Sequence, residues 1–121
     1  MSLPGRPDPV GDLLSDTAHG GPLEGAPALG EARAADRLVR AGLWREGGLV
    51  VRARFQATVC APLVAYAEAA CRALEAGVTE LPAAALHARV RGVHPGHRDR
   101  AELVAAAVRA ALSTSREEPP T

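Results

Sequence analysis

Lysine, asparagine and isoleucine are absent from this 121-residue chain, and Trp, Tyr, Phe and Met occur once each. Three aromatic rings cannot build a base-stacking platform for single-stranded nucleic acid. The 14 basic residues are all arginine and are balanced by 14 acidic ones, so the formal net charge is zero and gives no general attraction for phosphate. Arginine without lysine, beside abundant Ala, Gly and Pro, reads as codon bias rather than as a nucleic-acid footprint. No apolar run approaches the about 18 residues of a membrane span. The opening MSLPGRPDPVGD has neither the basic start nor the apolar stretch of a signal region. These absences predict a cytoplasmic protein that binds neither nucleic acid nor membrane. Two cysteines without a CxxC pair exclude a disulfide framework, a zinc ribbon and a thioredoxin-type redox motif. No GxSxG, P-loop or GxGxxG occurs either.

What is present suits one small domain. Leu, Val and Phe together supply only 26 of 121 residues, so the core must be filled largely by alanine. Residues 1–30 hold five of the ten prolines and six of the twelve glycines. They read as a mostly irregular arm, with one or two helical turns at Val10, Leu13 and Leu14. From Asp36 to Trp44 the pattern alternates, with Val39, Ala41 and Leu43 on one face. Gly47 and Gly48 supply the turn. A second alternating run places Val51, Ala53, Phe55, Ala57 and Val59 together, opposite Arg52, Arg54, Gln56 and Thr58; the two runs form a hairpin.

After Cys60 the period becomes helical. Pro62 suits a first turn, Leu63, Ala67, Ala70 and Leu74 share a stripe, and Gly77 stands where a left-handed residue closes a helix. Thr79 is expected to cap a shorter helix to about Val90, with Pro82 in its first turn. A last helix over 97–113 gathers Leu103, Val104, Ala107, Val108, Ala111 and Leu112 on one side, with Asp99 and Glu102 near its start. Residues 114–121 read as a flexible tail. The expected fold is α+β in two layers: a small antiparallel sheet, a hairpin that a third strand could join, packed against about three helices.

Cys60 is the most informative position. At a strand-to-helix junction its sulfur can meet the free N–H groups of the helix start, which favours thiolate. A cysteine between Val59 and Ala61 also fits a small buried hydrophobe. Cys71 lies eleven residues on, roughly 16 Å along a continuous helix, so the two sulfurs cannot share a metal or a disulfide; Cys71 reads as packing. His94 and His97 in HPGHRDR allow metal ligation or a solvated loop, with His97 the stronger candidate. His19, His87 and the arginines at 98, 100 and 109 read as solvated. Asp36 is a ligand candidate or a turn residue.

The segment 36–60 resembles, without a gap, the IscU/NifU-type iron-sulfur cluster assembly scaffold. In that family a Gly-Asp opens a strand, a glycine turn follows, a second strand carries Ala-Arg-Phe, and a ligand cysteine precedes a helix of small residues. Here Ala35-Asp36 stands for Gly-Asp, Ala53-Arg54-Phe55 for the strand core, and Cys60 for the cysteine. Residues 17–23 are similar to the family's stretch after its first helix, and 100–112 to its last helix. The family's first cysteine falls on Ala34, or on Leu29 in a shifted register; its third falls near Asp99 or Arg100. Neither position carries a thiol.

The resemblance implies a non-enzymatic scaffold over 31–113 with a degenerate site of Cys60, Asp36 and His97. Such a site would bind iron, zinc or a labile iron-sulfur cluster weakly, because a [2Fe-2S] centre wants four thiolate or imidazole ligands. A cysteine desulfurase and iron-sulfur recipient proteins are the implied partners. Two further readings stand beside it. One is a SufE-like acceptor of persulfide sulfur using Cys60 alone. The other is an interaction module that keeps the fold without the chemistry.

Overall fold

The computed structural model describes residues 8–116. Three strands, β2 (Ala28–Ala34), β3 (Arg37–Glu46) and β4 (Leu49–Ala57), follow α1 (Val10–Ser15) and the two-residue β1 (Asp8–Pro9). They form an antiparallel sheet in the order β2-β3-β4. Helices α2 (Ala61–Glu75) and α4 (Arg100–Arg116) pack on one face, joined through α3 (Ala83–Arg89), β5 (Val90–Arg91) and a 3-10 turn at Pro95–His97. The α+β class is as expected.

The β3–β4 hairpin follows from its sequence. Gly47 and Gly48 both have positive φ, 59° and 84°, as a two-residue turn matched to strand twist requires. Val39, Ala41 and Leu43 are buried, as are Ala53 and Phe55. Val51 departs from the expected face. The register pairs Arg45 with Val50 but Trp44 with Arg52, so Val51 is the extra residue of a bulge. It turns outward at 50% exposed, and Val50 takes the inner position. Val59 lies past the strand end and is fully solvated.

The larger departure is where the possible third strand falls: β2 begins in the expected irregular arm of 1–30 and runs on to Ala34. Its inward residues are Ala28, Gly30 and Ala32, too small to register as a strand pattern. Packing makes the strand instead: a Cβ on Gly30 would lie 2.1 Å from the Ala107 carbonyl oxygen and 2.3 Å from the Ala111 nitrogen. Only glycine allows α4 to approach so closely. The rest of the arm also joins the domain. Leu13 and Leu23 are buried. Gly21 N–H donates to the Phe55 carbonyl and Phe55 N–H to the His19 carbonyl, so this segment covers the free edge of β4.

The helices follow their patterns with two changes. Leu63, Ala67, Ala70 and Leu74 are all buried, and Gly77 has φ 104°. Thr79 does not cap α3; Pro82 is the N-cap and the helix begins at Ala83. Proline disfavours helical backbone in the residue before it, which pushes the start past Leu81. Helix α4 begins at Arg100 rather than His97 and continues through Arg116, beyond the expected tail boundary at 114. Residues 117–121 of that tail, and 1–7 of the arm, lie outside the described residues. Among the described residues no helix is long and apolar enough to cross a membrane.

Candidate functional site

The sulfur of Cys60 sits where the sheet hands the chain to α2. Beyond β4, Thr58 is tied back to β3: its N–H donates to the Leu38 carbonyl, and its Oγ1 accepts from the Leu38 N–H, both at 2.9 Å. Cys60 is then the N-cap residue, with extended φ −154° and ψ 113°. Its side chain is half-buried rather than packed away. Burial opposes ionisation most strongly. The Leu63 backbone N–H and the guanidinium groups of Arg100 and Arg37 together outweigh it and hold the thiol below its ordinary value of 9.0.

Both arginines are fixed by the fold. Arg100 opens α4, nine-tenths buried, and its Nη1 donates to Asp99 Oδ1. It lies where the family resemblance placed a third cysteine, so a cation meets the Cys60 sulfur at that point. Arg37 opens β3 after a turn in which Ala35, the residue standing for the family's glycine, has φ 53°. Its Nη1 lies 3.9 Å from Asp36 Oδ1.

The expected ligand set is not assembled. The Asp36 carboxylate is 91% exposed and, of the residues in that turn, Arg37 is the one that acts on the sulfur. His97 is exposed, its ring 5.6 Å from that of His94, whose Nδ1 accepts the Gly96 N–H. Among the described residues, no group of three or more His, Cys, Asp or Glu side chains is placed to hold a metal ion. Two guanidinium groups beside one sulfur stabilise an anion and repel a metal cation. The donor set therefore does not fit a resident iron-sulfur cluster or zinc ion. Cys71 is buried in the core, and burial, with Glu68 and Glu75 nearby, pushes its thiol far up; it is packing, as expected.

Three residues read as solvated are not. Arg100 is buried beside Cys60. His87 is half-buried against Tyr66, its ring edge-on to the phenol at 5.8 Å. His19 is clasped by α2: its Nδ1 lies 2.6 Å from Glu68 Oε2, its Nε2 2.8 Å from Glu75 Oε1, and its backbone N–H donates to Glu68 Oε1. Glu68 is fully buried and also accepts from Arg72 Nε at 2.8 Å. A lone carboxylate among the buried alanines of α2 was the available signal, because a buried charge requires partners.

No family model matches the chain, and no curated protein matches it. Among solved structures it is similar to a hypothetical protein known from its crystal structure, at 18% identity over 87% of this chain and 88% of that one, with a TM-score of 0.48.

Proposed function

We propose that this chain is a sulfur acceptor of iron-sulfur cluster assembly, SufE-like in its chemistry, with Cys60 as the acceptor. The observation that carries the reading is a half-exposed thiol at a helix start, held toward thiolate by Arg100 and Arg37. The Cys60 thiolate attacks the terminal sulfur of a donor persulfide. A new S–S bond forms at Cys60, the donor's S–S bond breaks, its electron pair leaves on the donor thiolate, and the transferred sulfur keeps its proton. The two guanidinium groups then face the anion of the product persulfide. The chain acts as a carrier rather than an enzyme, between a cysteine desulfurase and an iron-sulfur recipient protein, in a reducing, cytoplasmic compartment where both cysteines stay as thiols.

The test is mass spectrometry after mixing the protein with a cysteine desulfurase and free cysteine. Gain of one sulfur atom on the peptide containing Cys60, and none on that containing Cys71, supports the reading. No gain, or an equal gain in Cys60→Ala, overturns it. A coloured species formed with iron and sulfide in wild type and lost in Cys60→Ala would restore the scaffold reading in its place.

A further inference from the structure

A second set of chemical groups lies apart from this proposal, where α3 ends. A cavity of about 290 Å³ opens between α2, the end of α3, β5 and residues 92–98. Tyr66, His87, Arg91 and Arg98 line it, with Val90 and Val93 among its apolar walls. No acidic residue lines it, and among the described residues neither Arg91 nor Arg98 makes an ion pair. What sets the pair apart is that both guanidinium groups line one small cavity without a carboxylate in its wall.

The deeper wall adds to this. Tyr66 is almost wholly buried, and its hydroxyl lies 3.4 Å from His87 Nδ1. With the phenol donating to Nδ1, a neutral imidazole carries its proton on Nε2, which is then a further donor. Arg98 lies close enough to Tyr66 to counter part of the effect of burial on the phenol. The cavity thus combines two guanidinium groups, an imidazole and a phenol over a partly apolar lining. Guanidinium groups match the planar pairs of oxygens that phosphate and similar groups present.

We infer that this cavity binds a small tetrahedral oxyanion, free or as the terminal group of a small phosphate ester, between Arg91 and Arg98 above the Tyr66–His87 pair. Its volume sits just below the about 300 Å³ at which sites for drug-sized ligands begin, which limits the occupant to an ion or a short ester. Cys60 takes no part, so the site stands or falls independently of sulfur transfer.

The chain contains one tyrosine, which makes the Tyr66 ring resonances a direct reporter. Inorganic phosphate and glycerol phosphate are titrated separately into the full chain by NMR, with sodium chloride at matched ionic strength as reference. A saturable shift of Tyr66 and His87 with either phosphate compound, absent with chloride, is expected; the compound that binds more tightly identifies the free ion or the ester. Arg98→Gln and Arg91→Gln, both at exposed positions, should each weaken binding about tenfold, as loss of one charge-assisted contact does. Arg89→Gln removes an exposed charge nearby that does not line the cavity, and should leave affinity unchanged, as should Cys60→Ala. No saturable shift in wild type overturns the inference. So does an equal response to chloride, or undiminished binding in the Arg91→Gln/Arg98→Gln double variant.

Discussion

The two halves of α2 carry opposite arrangements of charge. At its start, the Cys60 sulfur is half-exposed and faces two guanidinium groups, each with its own carboxylate, Asp99 or Asp36, turned toward solvent. In its second half, Glu68 and Glu75 close on His19 from two sides, with Arg72 and Arg54 completing the set. The second arrangement is closed: Glu68 accepts three contacts, and Glu75 accepts from the Ala53 N–H at 2.7 Å, satisfying a donor on the free edge of β4. The first is open, with an anionic sulfur that can still be reached. One helix therefore shows what separates a structural cluster from a reactive one. Where every charge is matched around a covered carboxylate, polar groups fix the fold; where a nucleophile keeps an exposed side, the same kinds of group tune it.

Breaking the closed cluster should have the largest effect, and on stability alone. Glu68→Ala removes the fully buried carboxylate that holds the His19 ring, its backbone N–H and one contact of Arg72, and should cost about 3–5 kcal/mol. Urea unfolding followed by the fluorescence of the single Trp44 measures this. The rate of Cys60 alkylation, read under conditions where the variant remains folded, should stay unchanged. A shift in both would show that the two halves of the helix are coupled. The converse variant, Arg100→Gln, removes a cation from the open site. The midpoint of the alkylation rate against pH should move up toward the ordinary thiol range, and the rate at neutral pH should fall severalfold. An unmoved midpoint would leave Arg37 and the helix start as sufficient.

Much of this was legible in the sequence where side chains are large or turns demand glycine. Alternation at Val39, Ala41 and Leu43, the paired glycines, and the change of period at Cys60 gave the hairpin, α2 and the place of the thiol. Strand β2 was hidden because alanine and glycine at its inward positions carry no periodic signal; its existence depends on the approach of α4 at Gly30, a tertiary fact. The surroundings of Cys60 were hidden for a similar reason. Arg37 is 23 residues away in sequence and Arg100 is 40, and an arginine at a helix start reads as solvated until the packing of α4 brings it to the sulfur. His19 and Glu68 are separated by 49 residues. A carboxylate among the alanines of α2 is a local signal that the sequence reading passed over, and the ring that answers it has no local signal at all.

The smallest expected effect concerns Glu75, whose partial exposure makes it the softest member of the closed cluster. Burial raises its carboxyl, but the Ala53 N–H, the His19 ring and Arg54 together hold it below its ordinary value of 4.5. A carboxyl lowered on folding binds fewer protons in the folded state than in the unfolded one. Its contribution is therefore complete above 4.5 and is lost as pH falls through the lower, folded value. Glu75→Gln keeps the shape and removes the charge, so at neutral pH it should be less stable than wild type by about 1 kcal/mol. That gap should close as the solution is acidified below 4.5, because wild type alone has this contribution to lose. Urea midpoints across the acid range decide the matter. Parallel curves for the two proteins would mean that Glu75 holds β4 by shape rather than by charge, and that Glu68 alone closes the clasp on His19.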